Sequence, residues 1–449
     1  MFLVKPDGGP KVPIYHSSVK GLRRLIEKNM LKMMLVLTAI LWLLLALTNG
    51  PIYAQDKYIY RVKVSVVDFD KTQQSGMIKE LILSMGYNGT NPQMPTIIDR
   101  SDDSDWSSHD KISKGLRSNQ AWAAWVIEKG FGESLASALY NGTEYQPQKM
   151  GRLYLSDTHP YFALVRVQGT VEQMEVAVES YSRALVLKQL LAQAEGDAKA
   201  IARANPAALA KPFAVTVENV AFFSYPISNF VMSIAISMNL VLCFIPSNMW
   251  KGVFAPFWKN VKVWQAVGYN FLFSLLWLLY TSMTISLIVL AFHKNSEWDW
   301  SAGNFFGLWG ILALGNLPDF LWVLIFQSFV TPLWAVPMYV ILLFLNIPST
   351  LYGPDLSHQF FRWYYAMPFY NTSVNIRTMF LHSDYVLYRS IVIPFAWTIL
   401  FVPIATWLMI RRARLMREGK INAMNMKVPQ PPSDTPAARQ PSPSHDQSA

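Results

Sequence analysis

Two places in this sequence carry residue types able to do chemistry in or beside a membrane. The first is Asp319, the one acidic residue inside an otherwise apolar run, preceded by Asn316 and Pro318. A charge at mid-bilayer costs about 3 kcal/mol even on permissive insertion scales, so such a group faces a partner or a water-filled path. Two roles follow for Asp319: ion coupling along a transport path, or a Pro-Asp turn near the interface with no special purpose. The second place is Arg362-Trp-Tyr-Tyr365, in a segment too polar for hydrocarbon and too aromatic for an idle loop. Arg362 is suited to gate an outer cavity or hold a lipid phosphate, with Trp363 and Tyr365 stacking at headgroup level. The plainer reading is an aromatic belt that anchors a turn. Asp319, Arg362, Trp363 and Tyr365 are therefore the candidate transport-path or gating residues. Arg377 and Arg389 are expected at the same outer interface, snorkelling to headgroups.

Other chemistry is missing. Asp99, Asp102, Asp103, Asp105 and His109 form an acidic run, but without the glycine and spacing of a calcium loop, and read as a solvated loop. There is no G-x-x-x-x-G-K-[ST] loop, no H-E-x-x-H, no paired-cysteine metal site and no G-x-S-x-G elbow. No enzyme activity, metal or cofactor is expected. Any export driven by ATP would need a separate ATPase subunit.

The elements that must position these residues are membrane helices. Of 449 residues, 52% are hydrophobic and only 15% charged, against about 25% charged in a typical soluble domain. The apolar residues cluster into runs near the roughly 20 residues needed to cross a bilayer. The net charge of +10 does not point to nucleic acid, because the basic residues collect beside the apolar runs, as the positive-inside rule requires. The reading is a polytopic α-helical membrane protein of about six transmembrane helices, with a mixed α/β exterior domain between helices 1 and 2. A basic cytosolic arm (1–32) leads into a signal-anchor helix (33–50). The exterior domain (51–225) follows, then a five-helix membrane domain (226–410) containing an interfacial re-entrant segment (349–385). A basic, then disordered, cytosolic tail (411–449) closes the chain. Both termini are expected in the cytosol, with the lipid bilayer of the plasma membrane or an endomembrane as the main partner.

Within the exterior domain, Arg61–Asp70 alternates as a half-buried strand does, and Ala121–Ile127 reads as a second strand. Residues 76–85 and 130–140 carry helical spacing, and 171–204 reads as one long helix or two. Asn88-Gly-Thr90 and Asn141-Gly-Thr143 are glycosylation sequons placed where the topology puts the exterior. In the membrane domain, Asn316, Pro318 and Asp319 interrupt the fourth span (305–327), which is expected to split into half-helices or a re-entrant hairpin. Cys243 is the single cysteine, so no intrachain disulfide forms.

One span, a large exterior domain, then five spans is an order that resembles the membrane subunits of ABC-2 type exporters. More closely, the chain is similar to the fungal nitrosoguanidine-resistance family, whose relatives include the phage-infection-protein type. Three stretches carry the resemblance: Lys63-Val-Ser-Val-Val-Asp-Phe-Asp70; Ala121 to Leu139, with its Gly-Phe and Ser-Leu-x-x-Ala-Leu pattern; and Asn346-Ile-Pro-Ser-Thr350 with Phe360-Phe-Arg-Trp-Tyr-Tyr-Ala-Met-Pro-Phe-Tyr-Asn371. The resemblance spans roughly residues 33 to 415. It implies drug or toxin resistance, an ABC-2-like permease for small molecules or lipids without its own ATPase, and a homodimer. A non-transporting scaffold whose exterior domain binds a partner is the alternative.

Overall fold

The computed structural model describes residues 20–51, 55–193, 203–221, 230–253, 260–292, 301–381 and 387–422. The first helix, α1 (Lys20–Asn49), ends in the apolar stretch Thr38–Asn49. A 3-10 turn (Gln55–Arg61) then delivers the chain into a five-stranded sheet. Its strands are β1 (Lys63–Asp68), β2 (Thr96–Asp99), β3 (Ala123–Ile127), β4 (Gly151–Ser156) and β5 (Val215–Ala221), in the order β2-β1-β3-β4-β5. Only the β3–β4 pair is antiparallel.

Helices cover both faces of this sheet. Val64, Val66, Ala123, Trp125 and Ile127 face α2 (Gln73–Met85), α4 (Phe131–Asn141) and α5 (Tyr161–Gln193). From α5, Ala163, Val167, Val171, Met174 and Val178 enter that core at helical spacing. Val67, Ala124 and Val126 face the other way, onto Trp106 and onto Ile112 and Leu116 of α3 (His109–Arg117). The half-buried strand expected at 61–70 is thus a shorter strand buried on both faces, because α3 shields the face that alternation assigns to water. The long helix expected at 171–204 starts ten residues earlier, at Tyr161, and is described to Gln193; among the described residues the short α6 (Pro206–Ala210) comes next.

The remaining α-helices among the described residues are α7 (Ala235–Val253), α8 (Val263–Phe292), α9 (Ala302–Phe329), α10 (Pro332–Leu351), α11 (Pro368–Leu381) and α12 (Leu387–Arg417). Four of them, α8, α9, α10 and α12, are long and apolar enough to cross a membrane. The chain is therefore a helical membrane protein with a mixed sheet domain. α8 exposes Leu272, Leu276, Tyr280 and Leu287, and α12 exposes Val392, Phe395, Ile399 and Trp407; such apolar faces suit lipid and not water. By contrast α9 is the hub, touching α7, α8, α10, α11 and α12.

One expectation needs correction. α9 runs unbroken from Ala302 to Phe329 through Pro318, with no half-helices and no hairpin. Pro318 removes one backbone bond, but neighbouring helices enclose it, and a bundle tolerates that loss. Within the segment expected at 349–385, helix α11 is buried over most of its length against α9 and α12.

Candidate functional site

The sheet domain sits directly on the apolar helices, and the seam is held by a few polar contacts. Arg61, the last residue of the 3-10 turn, donates from Nη1 to the carbonyls of Ser357 (3.0 Å) and Asp355 (3.4 Å). Its guanidinium also lies over the Tyr58 ring at 4.4 Å. Tyr364 Oη donates to the Leu47 carbonyl at 3.0 Å, tying the aromatic segment to the end of α1. The rings of Phe162 on α5 and Tyr352 beyond α10 stack with centroids 5.2 Å apart.

Above this seam opens a cavity of about 570 Å³. The sheet domain supplies Arg61, Lys63 and Trp122 on one side; Asp355, Arg362, Tyr365, Tyr370 and Asn371 line the other. Lys63 is there because β1 begins at it, and Arg362 because a 3-10 turn (Gln359–Ala366) aims it outward while burying Phe361 and Tyr364. Three cationic side chains thus face one carboxyl. Tyr365 Oη donates a hydrogen bond to Asp355 Oδ1. Loss of hydration pushes the Asp355 carboxyl above its usual range, against the opposing pull of the Tyr365 hydroxyl and Arg61. The cavity therefore favours negative charge, with aromatic walls at the level where the chain leaves the first apolar helix.

The raised carboxyl has a consequence for stability. Folded Asp355 binds its proton more tightly than the unfolded chain does. Its contribution favours the folded state at acid pH and is lost as pH rises from the ordinary carboxylate range, about 4, through the folded value. Asp355→Asn keeps an acceptor for Tyr365 and removes this dependence. The melting temperature of the wild type, relative to Asp355→Asn, is expected to fall as pH rises from about 4 and then level off. A difference that stays flat across that range contradicts the assignment.

A second cavity of about 410 Å³ lies at the same seam, lined by Asp157, His159, Ser233, Thr350 and Arg377. His159 stacks flat on Trp122, with ring centroids 3.4 Å apart and planes within 7°. Trp122 lines the first cavity and His159 the second, so the stacked pair stands between the two. Burial, with Arg377 adding to it, holds the His159 imidazole well below the ordinary histidine range. Both its ring nitrogens lack a hydrogen-bond partner.

The structure brings together Arg362 and Tyr365 of the four candidate residues. Trp363 is half-buried and packs edge-on against Tyr364, centroids 4.3 Å apart, away from the cavity lining. Asp319 lies elsewhere, 1% exposed inside the helix bundle, where its Oδ1 accepts from Asn346 Nδ2 at 3.1 Å. It is no interfacial turn. Arg377 does not snorkel: it is 2% exposed and donates from Nη2 to Ser373 Oγ (2.9 Å) and to the Thr350 carbonyl (3.3 Å). The Arg389 side chain is outside the described residues. Asn88 and Asn141 are exposed on the sheet domain. In the acidic run, Asp99, Asp102 and Asp103 pair with Lys79, Lys71 and Arg100, and His109 Nδ1 is 2.9 Å from Tyr154 Oη.

Sequence reasoning missed Arg61, Lys63, Trp122 and Asp355 as cavity residues. Lys63 and Trp122 lie in stretches already singled out for their patterning, but nothing in a linear pattern shows that two strand starts, sixty residues apart, meet a loop near residue 355.

A family model described as "Protein of unknown function (DUF3533)" matches residues 33–402. That is well over half of the chain, which therefore belongs to this family. No curated protein and no solved structure matches it.

Proposed function

We propose that this member of the family is a permease for amphiphiles that carry negative charge, either small toxic molecules or lipids. It acts in the manner of ABC-2 type membrane subunits and has no ATPase of its own. The supporting observation is the cavity at the seam, where Arg61, Lys63 and Arg362 converge beside aromatic walls. A phosphate or carboxylate matches the cationic groups, and a ring or acyl chain matches the aromatics. In this reading α1 and α7, with their shorter apolar stretches, complete six spans, and both termini are cytosolic. Drug resistance, a paired assembly, a plasma-membrane or endomembrane address and glycans on Asn88 and Asn141 belong to the same reading.

A second reading, a non-transporting scaffold, draws on a different observation. The sheet domain's α5 exposes Val176, Tyr181, Leu187 and Leu191, an apolar surface fit for a protein partner.

Deletion of the gene and growth on alkylating agents, azoles and lipid-active compounds separates the two. The permease reading expects selective hypersensitivity, rescued by the intact chain. Arg362→Glu at equal abundance is expected to rescue poorly, since losing a charge-assisted contact weakens binding about tenfold or more. An unchanged growth profile across the panel favours the scaffold.

A further inference from the structure

A cluster of buried oxygens inside the helix bundle is left without hydrogen-bond partners. Asn239 on α7 donates from Nδ2 to Ser282 Oγ on α8 (2.8 Å) and to the Leu312 carbonyl on α9 (3.5 Å). Asn316, also on α9, donates to that same Leu312 carbonyl at 3.0 Å. Both amides thus donate to the Leu312 carbonyl, and both Oδ1 atoms remain unpartnered. Asp319 follows Asn316 by three residues, on the same helix face. Its Oδ1 is held by Asn346 of α10, which is itself fixed by the Leu342 carbonyl and the Phe369 backbone N–H. Its Oδ2 is unpartnered, as is Tyr339 Oη on α10. Tyr339 lies within electrostatic reach of both Asp319 and Cys243. Asn239, Asn316 and Asp319 are each at most 1% exposed.

Orphaned polar groups in a bundle core cost several kcal/mol each by the usual transfer scales. Here they are all oxygens, and only one is formally charged. We propose that this cluster binds a monovalent alkali cation, held by Asp319 Oδ2 with the Asn239 and Asn316 Oδ1 atoms and Tyr339 Oη. Hard oxygen donors suit an alkali or alkaline-earth ion and not a soft metal. A single carboxylate neutralises a charge of one, whereas a divalent ion would leave net charge buried in hydrocarbon. A proton on Asp319 would supply one hydrogen and the Tyr339 hydroxyl another, a neutral arrangement that the pH titration below separates from a bound ion. Water alone would leave the carboxylate charge unbalanced. Cys243 of α7 is a further titratable group within electrostatic reach of Tyr339. In the permease reading, this ion would supply the driving gradient that the chain's own sequence, lacking a P-loop, does not. That coupling role rests on the permease reading; the cation site does not.

The test is thermal melting of the full-length purified chain in detergent, titrated with sodium, potassium or N-methyl-glucamine chloride at constant ionic strength and several pH values. Sodium or potassium is expected to raise the melting temperature saturably while N-methyl-glucamine does not. Asp319→Asn is expected to abolish the response. Asn346→Ala, which frees the carboxylate from its orienting contact, is expected to raise the half-saturating concentration about tenfold or more. Arg362→Ala, in the outer cavity, is expected to leave the response intact, so a failed permease assay does not bear on it. An equal shift from all three salts, or in Asp319→Asn, overturns the proposal. A dependence on pH with none on alkali cation also overturns it, and gives Asp319 a proton instead.

Discussion

Gly315→Ala is expected to be among the most destabilising single changes in the membrane domain. A Cβ on Gly315 would stand 1.9 Å from Thr372 Oγ1 and 2.7 Å from Thr372 Cβ, across the contact between α9 and α11. Thr372 is fully buried, β-branched, and donates to the Pro368 carbonyl at 2.8 Å, so it has no free rotamer to turn into. Gly307 is the same device two turns earlier, with Met379 Sδ 2.7 Å from its hypothetical Cβ. There the flexible thioether yields more readily. Small residues let membrane helices approach closely, and overpacking such a site costs about 3 kcal/mol or more. Thr372→Gly in the same chain is expected to recover much of the loss, minus about 1 kcal/mol for glycine inside a helix. Melting of the four proteins of that double-mutant cycle checks it. Additive losses would show that the two residues do not share the contact.

Asp70→Ala is expected to have the largest effect in the sheet domain. Asp70 Oδ1 accepts from the Gly130 backbone N–H at 2.7 Å; Oδ2 accepts from the Gly132 N–H at 2.9 Å and from Thr72 Oγ1 at 2.5 Å. The carboxylate thereby caps the first turn of α4, where the helix dipole favours negative charge. It ties that helix to the loop entering α2. Each hydrogen bond to a charged group contributes about 1.5 kcal/mol or more, so the loss should reach about 3 kcal/mol. Asp70→Asn, which keeps one acceptor oxygen, should lose roughly half of that. Gly132→Ala attacks the same junction from the other side, with its Cβ 2.3 Å from Thr72 Oγ1. Thermal melting and limited proteolysis of the full chain report it. An Asp70→Ala protein as stable as the wild type would mean that the cap is dispensable.

Asp70 also marks how far a linear pattern can be read. The Asp-x-Asp ending of β1 and the Gly-Phe start of α4 stand out in the sequence as separate features. The structure joins them: Asp68 accepts from the Asp70 and Lys71 N–H groups and from Ser75 Oγ, while Asp70 reaches α4. Periodicity encodes the elements, because burial repeats along the chain; it does not encode which helix end a carboxylate will meet. β2, β4 and β5 escaped for a different reason. β2 is only four residues long, and β4 and β5 carry Arg152, Glu218 and Asn219 among few apolar positions, a mixture that reads as loop. In β4, Arg152 is a charge that makes sense only beside Glu128 and Glu218. The apolar runs of α8, α9, α10 and α12 were legible because hydrocarbon enforces their length. The interruption read at Asn316–Asp319 was legible as polarity and misleading as geometry, since buried amides and a carboxylate can be held inside an unbroken helix when neighbouring helices supply contacts. Arg377 misled in the same way: a cation beside a membrane helix resembles a headgroup anchor until α10 and α11 enclose it.

Transbilayer movement of an anionic amphiphile is the most direct test of the cavity at the seam. The full chain would be reconstituted into vesicles carrying a fluorescent anionic phospholipid or a charged compound from the sensitive part of the growth panel, with an alkali-cation gradient imposed. Movement faster than in protein-free vesicles is expected, with a marked slowing by Arg362→Glu and little effect on a zwitterionic analogue. Movement at the protein-free rate for both the lipid and the compound, from protein shown to be folded, would contradict it.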